Sequence, residues 1–556
     1  MTRTTVCCAA IATAMVGCTT VSSTSARDAD PNAPSARARG VGARDDMRLV
    51  GSYTDVRAVG VSRRYVYAAT ASGIAIYDRT FQTWLPPLSR ELGLTESQIS
   101  VIAGDPVEDA LWVGVAGAVI MYRPQSEQVQ RTMITGVPDA MVFDRSGNGD
   151  VFVRSAGGLW TRVSRVGTAT PMNAAPARTA VSAPSGLADV YARFPGLRTG
   201  APLLFRDQLA DRALRRFQVV SGASAADQPN DVWLGTNGDG LYQVDGATQQ
   251  ATPLRYGLLE RGVGAVALAA DGVWAAGLGQ SSLRAGLSFA SMDMQRWRWI
   301  DGTITVPMLG ARARSMSTRA NRAWIGTDRG LIRVRLDARA EMSAWTILDG
   351  LPDDRVFAVQ ARGDGAWVGT ARGLVYVTDS TDQRNTRTRG IGTRLLDNMP
   401  IFALQSIGDT LWIGSESGLL ALPPSGALAR PLARDPALRR PVLALAWSDT
   451  VLLAATEDAV LRVSPTGGAE PTRLDVDVRQ VGILTRVAID DYSIVIAGTE
   501  GLLVLRRRAG GGIQLLRAPR DVPGPVFDVV LSRDWIWCAT SEGLVRLRRA
   551  SDGGLP

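Results

Sequence analysis

The sequence contains no histidine and no lysine, and this double absence limits its chemistry. All 61 basic residues of the 556-residue chain are therefore arginines. Histidine is the usual general base near neutral pH and the commonest metal ligand. Hydrolases, lyases and zinc sites that depend on histidine are excluded. We expect no enzymatic activity, no cofactor and no metal site.

Cysteine is also scarce, with four residues in the whole chain. Cys7 and Cys8 lie in an apolar N-terminal segment, Cys18 follows that segment, and Cys538 lies in the apolar run "WIWCAT". If the N-terminal segment is cleaved off and Cys18 accepts lipid, as argued below, Cys538 is the one free cysteine left and no internal disulfide can form. No neighbouring histidine or lysine would activate Cys538, so we interpret it as a small core residue.

The N-terminus has the order of a secretory signal. Arg3 precedes the apolar residues 6–17, a length too short to span a membrane. Gly17 followed by Cys18 resembles the lipobox of bacterial lipoproteins, with Met15 where leucine is commoner. The resemblance implies that residues 1–17 are cleaved and that Cys18 accepts lipid. An ordinary signal peptide with an incidental cysteine is the alternative.

Residues 18–46 are polar and rich in Ser, Pro, Ala and Arg, which is typical of a disordered tether. Beyond them, 46% apolar and 21% charged residues indicate a folded protein. The net charge of +8 is spread over the chain, so no nucleic-acid partner is expected.

The segment "AWIGTDRGLIRV" at 323–334 returns in close copies along the chain. Turn glycines of successive copies, such as Gly330, Gly373 and Gly418, are 43 and 45 residues apart. Eleven copies begin at residues 65, 111, 151, 232, 273, 323, 366, 411, 452, 495 and 537. Such a period indicates an array of supersecondary units.

Each copy predicts a β-hairpin, because apolar runs rich in Val, Ile, Leu and Trp flank a polar turn with glycine. A further apolar stretch lies on either side, which gives four short strands per period, as in a propeller blade. The phrase "W-I-G-T-x-x-G-L", preceded by "G-L-P-D-D-R-V-F-A-V" at 350–359, resembles the two-component regulator propeller repeat. The resemblance covers about 47–550 and implies an all-β fold of tandem β-propellers with about 11–12 four-stranded blades.

The period is broken between Gly158 and Gly240, which are 82 residues apart. We predict a short helical insertion at about 185–217, because Leu187, Val190, Tyr191 and Phe194 recur at helical spacing. A decayed twelfth blade is the alternative. The insertion would cover a face or a junction, or serve as a docking surface.

Eleven or twelve blades exceed the four to eight of common propellers, so two rings are expected. We predict a first propeller at 47–300 and a second at 301–556, with six or five blades in the first. An unequal division, in which a distant strand completes one blade, stays open.

Few residues suggest a site. The tryptophans occupy one equivalent blade position, which favours packing over binding: Trp112, Trp233, Trp274, Trp324, Trp367 and Trp412. The polar turn residues are expected on one rim, where carboxylates could bind a cation or a sugar: Asn237, Gly238, Asp239, Asp328, Arg329, Glu416, Ser417, Glu457, Asp458, Glu500 and Glu542. Turn geometry alone also explains them.

The function implied by the resemblance is that of an extracytoplasmic sensor propeller that binds carbohydrate-like ligands. The chain lacks a histidine kinase, so signalling would need a separate membrane protein. We predict a lipid-anchored, ligand- or protein-binding propeller on the periplasmic or surface side, with Thr19 favouring the outer membrane. One alternative is a scaffold lipoprotein in an outer-membrane assembly or secretion complex. A polysaccharide lyase or glycosidase using carboxylates and tyrosines such as Tyr242 or Tyr376 is the weakest alternative.

Overall fold

A computed structural model describes most of the chain after residue 45. The described ranges are 46–88, 99–145, 149–177, 181–182, 186–199, 204–205, 207–211, 213–225, 227–228, 230–280, 284–303, 310–337, 340–378, 391–425, 436–465, 470–507, 512–550 and 554–555. The signal peptide and the tether predicted at 1–17 and 18–46 lie outside them, except for Asp46.

The described residues form eleven antiparallel sheets, eight of them four-stranded, which confirms the predicted array of propeller blades. The repeated apolar runs are the middle strands of these sheets and are buried on both faces. In the first copy, for example, every residue of the strand Tyr65–Thr70 is buried. One sheet cannot bury both of its faces alone, and stacking against neighbours on either side solves this.

The first strand, β1, is Met47–Val50. Nineteen strands follow in four sheets: β2 (Val56–Val61), β3 (Tyr65–Thr70), β4 (Gly73–Asp78) and β5 (Thr83–Leu88); β6 (Val101–Gly104), β7 (Leu111–Val115), β8 (Ala118–Arg123) and β9 (Gln128–Met133); β10 (Pro138–Asp144), β11 (Val151–Ser155), β12 (Trp160–Val163), β13 (Ala169–Met172) and β14 (Val181–Ser182); β15 (Leu204–Phe205), β16 (Gln208–Ala210), β17 (Arg216–Ser224), β18 (Asp231–Thr236), β19 (Gly240–Asp245) and β20 (Ala251–Leu254). We call these four sheets the four-sheet module.

The remaining strands form seven sheets: β21 (Val263–Ala269), β22 (Gly272–Gly277), β23 (Gly286–Ser291) and β24 (Trp297–Asp301); β25 (Ala313–Arg319), β26 (Arg322–Thr327), β27 (Gly330–Arg335) and β28 (Met342–Trp345); β29 (Val356–Arg362), β30 (Gly365–Thr370), β31 (Gly373–Thr378) and β32 (Ile391–Leu395); β33 (Ile401–Ile407), β34 (Thr410–Ser415) and β35 (Gly418–Leu422); β36 (Ala444–Ser448), β37 (Val451–Ala455), β38 (Val460–Val463) and β39 (Thr472–Arg473); β40 (Leu484–Ile489), β41 (Ser493–Gly498), β42 (Gly501–Arg506) and β43 (Ile513–Arg517); β44 (Val526–Leu531), β45 (Trp535–Thr540) and β46 (Gly543–Arg548). Three 3-10 helices lie between them: Ile347–Asp349, Pro436–Arg439 and Val478–Val481.

These seven sheets close into a ring, which we call the seven-sheet ring. The first strand of each sheet, its inner strand, contacts the inner strands of the sheets on either side, and β44 contacts β21 to complete the circle. The last sheet is completed by β1, which pairs with β46 from Met47 opposite Leu547 to Val50 opposite Leu544. Pairing of the first described strand with the last one therefore closes the ring.

The four-sheet module is inserted into this ring between β1 and β21. The chain that leaves the ring and the chain that returns run side by side, because Ser52 forms bridges with Gly257 and Leu258. The predicted boundary near residue 300 does not match these contacts, since β21 to β24 belong to the ring. The structure matches the alternative of an unequal division, in which a strand distant in sequence, here β1, completes one blade.

The predicted helical insertion is helical only in its first part. Two short helices, Leu187–Arg193 and Gly196–Thr199, contain the residues with helical spacing. The prediction is wrong for the described residues after 203, which form β15, β16 and β17. Residues 216–220 of β17 alternate between exposed and buried, the period of a strand, and sheet pairing overrides the helix propensity of Leu, Ala and Arg.

A cluster of aromatic side chains fills the seam between the four-sheet module and the ring. Tyr256 lies at its centre, with ring centroids 5.2 Å from Tyr53, 5.0 Å from Trp84 and 5.7 Å from Trp297. The same hydrophobic cluster includes Trp537 of the last sheet. Because this core spans the seam, the two parts pack as one body, in agreement with the single compact unit that the described residues form.

Candidate functional site

A β-bulge interrupts most inner strands at their second residue. In the ring, the register shifts at this point in six of the seven sheets. A bulge leaves its extra residue outside the ladder and can redirect the side chain. We call these residues of the ring the axial collar: Gly264, Arg314, Phe357, Phe402, Thr485 and Phe527.

The collar side chains of neighbouring sheets contact one another. The guanidinium of Arg314 lies 5.5 Å from the ring centroid of Phe357, and Phe357 lies 5.8 Å from Phe402. Arg312, two residues before Arg314, lies 4.9 Å from the ring of Phe527 on the other side of Gly264. The collar residues that carry side chains are half-buried, whereas the residues on either side of the three phenylalanines are buried. Aromatic and guanidinium groups thus meet at one end of the ring axis, with part of their surface in contact with solvent.

The predicted polar turns lie on the same rim as the collar. Val356 at the start of an inner strand pairs with Thr370, and Thr370 pairs with Gly373 to close the turn of that sheet. The Thr370 hydroxyl donates to the Gly373 carbonyl at 2.9 Å, and Thr327 and Thr540 make the same bond in their own turns. The turn residues of the ring therefore lie on one rim, whereas Asn237, Gly238 and Asp239 belong to a turn of the four-sheet module.

The turn carboxylates are held separately. Asp328 accepts a hydrogen bond from the backbone amide of Arg312 at 2.8 Å, and Asp458 pairs with Arg440 at 3.0 Å. Glu542 forms an ion pair with Arg261, and Asp239 forms one with Arg284. Each carboxylate thus contacts an arginine of its own surroundings, and these four do not form a shared cation site.

Asp239 belongs to a charged network at the seam between module and ring. The buried guanidinium of Arg284 contacts Asp239 of the module and lies 2.5 Å from Asp301 of the ring. Arg215 bonds both Asp301, at 2.7 Å, and Asp211, at 2.5 Å. Burial alone would raise the pKa of Asp301, but hydrogen bonds from Arg215 and Thr303 hold it well below its usual range. The network is saturated with internal partners, which is typical of a structural junction.

The repeated tryptophans lie in the packing layer between sheets, as expected. Trp112, Trp233, Trp274, Trp324 and Trp412 are buried, and Trp367 is half-buried against Tyr376 at 5.1 Å. The Cys538 thiol is fully buried, and burial raises its pKa to about 12. A thiol with this pKa is a poor nucleophile, which agrees with its interpretation as a core residue.

Two pairs of adjacent carboxylates, Asp353 with Asp354 and Asp490 with Asp491, and the tyrosines of the enzymatic alternative contact separate structural partners. Asp353 pairs with Arg355 at 3.0 Å, whereas Asp354 accepts from the amide of Ile347 at 2.7 Å. Asp490 pairs with Arg549 at 2.5 Å. Tyr376 donates to the carbonyl of Arg362 at 2.8 Å, and Tyr242 donates to Asp239. The structure does not bring these groups together.

A polar groove of about 570 Å³ lies at the edge of the four-sheet module. It is lined by Asp227, Gln228, Asn230, Asp231, Gln243, Asp245, Gln250 and Thr252. Arg79 from the neighbouring sheet contacts Asp231 at 3.1 Å and Asp227 at 3.3 Å, and Gln243 donates to Asp231 at 2.9 Å. Carboxylates and amides in a concave surface of this size could hydrogen-bond a polar ligand.

Three further features lie apart from the collar, the seam and the groove: the lipidation site, metal binding and membrane-spanning helices. Cys18, the predicted lipidation site, lies outside the described residues. Within the described ranges, no three His, Cys, Asp or Glu side chains are grouped closely enough to hold a metal ion. No helix in that part of the chain has the length and apolarity to cross a membrane.

Sequence reasoning missed the axial collar, although a signal was present. When the six bulged inner strands of the ring are aligned at their bulge, the residue before it is always apolar (Val, Ala, Ile or Leu), and the residue after it is Ala in three strands and Ser, Arg or Asp in the others. The position between them varies from glycine to threonine, arginine and phenylalanine. A variable position next to a constantly apolar one marks where one copy differs from the next. Aligning the copies at the turn glycine of their hairpins does not reveal this position, because it lies in the inner strand that precedes the hairpin.

Comparisons with known proteins agree at the level of the fold. No known family profile matches the chain, and no curated protein matches it. The resemblance to the two-component regulator propeller repeat therefore stays a prediction, while the propeller fold itself is observed.

Several solved structures are similar. PorZ of Porphyromonas gingivalis, described as an essential surface component of the type-IX secretion system, is 12% identical with a TM-score of 0.53 over 92% of this chain and 88% of that one. The extracellular domain of BT4673 of B. thetaiotaomicron, described as a hybrid two-component system, is 13% identical with a TM-score of 0.42 over 90% and 70%. Virginiamycin B lyase of Staphylococcus aureus is 11% identical with a TM-score of 0.41 over 52% and 96%. At these identities the likeness concerns the fold alone.

Proposed function

We propose that this protein is a non-enzymatic extracytoplasmic β-propeller that binds a ligand or partner protein, held at the membrane by lipid on Cys18. The observation that carries the proposal is the axial collar. Its aromatic rings and guanidinium groups contact one another at the mouth of the ring, whereas the network around Arg284 serves the seam and the repeated tryptophans serve the packing between sheets.

The chemistry of the collar supports binding over catalysis. Phe357, Phe402 and Phe527 supply apolar surface, and Arg312 and Arg314 supply hydrogen-bond donors. Aromatic and arginine side chains dominate the energetics of many protein interfaces. None of these groups is a general acid or base near neutral pH.

A scaffold role in an outer-membrane assembly or secretion complex is the second candidate. It is favoured by the similarity to PorZ, which extends over 92% of this chain. A scaffold would present the same rim to a protein of the envelope, and it would need no small ligand. The polar groove of the four-sheet module would then be a surface feature, whereas in a sensor it could hold a glycan-like ligand.

The test is purification of the lipidated protein from its native envelope in mild detergent, with mass spectrometry of co-eluting proteins and glycans. A stoichiometric envelope protein supports the scaffold, and a bound glycan or small molecule supports the sensor. Phe402→Ser should abolish either association. The proposal fails if neither is found, or if the association survives substitution of the collar.

Labelling with palmitate tests the anchor separately. The wild-type chain should incorporate the label, and Cys18→Ser should not. Fractionation of the two membranes then tests the proposed outer-membrane location.

A further inference from the structure

Arg314 is a half-buried cation with no acidic partner among the described residues. Its Nε atom is buried and has no hydrogen-bond partner there, and its guanidinium lies over the ring of Phe357. Two arginines near other inner strands are paired, Arg486 with Asp528 at 3.0 Å and Arg355 with Asp353 at 3.0 Å. A buried donor without an acceptor is costly, so the buried Nε of Arg314 needs an explanation.

The charges around Arg314 increase this cost. Burial lowers the pKa of Arg314, and the neighbouring guanidinium groups of Arg312 and Arg355 lower it further. The carboxylate of Asp328 raises the pKa of Arg314, but it accepts a hydrogen bond from the backbone amide of Arg312. Positive charge therefore accumulates at this part of the rim, and a bound anion would stabilise the cationic form of Arg314.

The same place offers apolar surface. Phe357 lies next to Arg314 in the collar, Phe402 lies beyond Phe357, and the guanidinium of Arg312 lies over the ring of Phe527. Gly264 occupies the collar position between Arg314 and Phe527. An added Cβ there would lie 2.2 Å from the carbonyl oxygen of Ala313, so this position must remain glycine and contributes no side chain to the mouth.

We infer that the axial collar binds an organic oxyanion, whose carboxylate or phosphate accepts hydrogen bonds from Arg314 and whose apolar part packs on Phe357 and Phe402. This inference rests on the proposed function, because it names the class of ligand for the same rim. A guanidinium presents a planar fork of donors that matches both kinds of oxyanion. Arg312 supplies a second guanidinium within the same cluster, which would strengthen binding of a phosphate more than that of a carboxylate.

The test uses ligand-observed NMR on the whole protein with three probes of similar size: benzoate, phenyl phosphate and benzyl alcohol. At least one of the two anions should bind at least about tenfold more tightly than the neutral alcohol, because a charge-assisted hydrogen bond is then made to a buried donor. The comparison between benzoate and phenyl phosphate identifies the oxyanion. Binding should weaken as salt is added.

Two arginine variants of one strand make the test specific. Arg314→Gln should abolish the preference for the anions, whereas Arg319→Gln should leave it unchanged. Arg319 ends the same strand at the opposite rim, and both variants remove one positive charge. Arg314→Lys should keep part of the preference. Thermal unfolding of each variant shows that the ring remains folded.

Equal binding of alcohol and anions would overturn the inference, and so would an anion preference that survives Arg314→Gln. Absence of binding by every probe would also overturn it. None of these results removes the proposed function, since an envelope partner could still co-purify through an apolar collar. Failure of the proposed function would show as loss of all co-purifying partners while the anion preference persists.

Discussion

The carboxylate of Asp528 accepts a hydrogen bond from the backbone amide of Val266 at 3.0 Å, although the two residues are 262 positions apart. Asp528 lies in the last inner strand and Val266 in the first inner strand of the ring. On its other side, Asp528 pairs with Arg486 of the preceding inner strand at 3.0 Å. One buried carboxylate thus joins three consecutive inner strands at the place where the ring closes.

Asp528→Ala should destabilise the protein by about 2 kcal/mol, because it leaves the buried amide of Val266 without an acceptor and removes the partner of the half-exposed Arg486. The measurement is the shift in the urea midpoint. Asp534→Ala removes an exposed carboxylate from the next loop and should change stability by less than about 0.5 kcal/mol. Equal effects of the two substitutions would show that Asp528 does not hold the ring together.

Gly543→Ala should also weaken ring closure. The loss of stability should exceed that from backbone strain alone, because the added Cβ also clashes with β1. Gly543 has a φ of 148°, and an added Cβ would lie 2.3 Å from the carbonyl oxygen of Val50 in β1. We expect a loss of about 3 kcal/mol from backbone strain and overpacking together. Gly117 has a φ of 74° with nothing within 4 Å of the added Cβ. Gly117→Ala should therefore cost only about 1 kcal/mol, and urea unfolding of the two variants makes the comparison.

The blades could be predicted from the sequence because each depends on local pattern. The alternation of apolar runs and the turn glycine of a hairpin lie within about fifteen residues of each other, as in 323–334. The division into ring and module could not be predicted, because it depends on β1 pairing with β46 across the whole chain. The sequence of residues 47–50 alone does not indicate which sheet they complete.

The candidate site shows the same limit. The rim position of the turn residues follows from hairpin geometry, and it was predicted. Their partners were not, because Glu542 pairs with Arg261 from a loop 281 residues away. The collar contacts between Arg314, Phe357 and Phe402 likewise join three separate repeats, and no pattern within one repeat reveals them.

Acid should loosen the seam between module and ring. Hydrogen bonds from Arg215 lower the pKa values of Asp211 and Asp301 in the folded protein against the opposing effect of burial. A carboxylate with a lowered folded pKa stabilises the fold above its unfolded pKa of about 4, and this contribution is lost as the pH falls further. The thermal midpoint should therefore fall as the pH is lowered from about 5 to about 3.

Asp301→Asn should make this acid dependence shallower and should lower the midpoint at neutral pH. Asp271→Asn is the matched control, because its half-exposed carboxylate lies 3.7 Å from Arg298 in the same sheet. The control should follow the wild-type curve. If Asp301→Asn kept the full acid dependence, the seam network would not be its source.

Removing Arg284 should be more damaging than removing a surface arginine. The side chain of Arg284 is 1% exposed and lies between Asp239 and Asp301. Arg284→Ala leaves these carboxylates without their shared cation, and breaking a buried pair in this way typically costs about 3–5 kcal/mol. Arg298→Ala, from an ion pair that is about half exposed, should cost less than about 1 kcal/mol. Chemical unfolding of the two variants makes the comparison.

The collar should be separable from stability, which distinguishes a binding surface from a packing layer. Phe402 is half-buried in the collar, so Phe402→Ser should lower the thermal midpoint far less than Trp324→Ser, whose indole is 1% exposed between sheets. Co-purification of an envelope partner or ligand should nevertheless be lost in Phe402→Ser. Phe81→Ser is the matched control, because Phe81 is 69% exposed and lies in the four-sheet module away from the collar. An association lost equally in both phenylalanine variants would place the binding surface elsewhere.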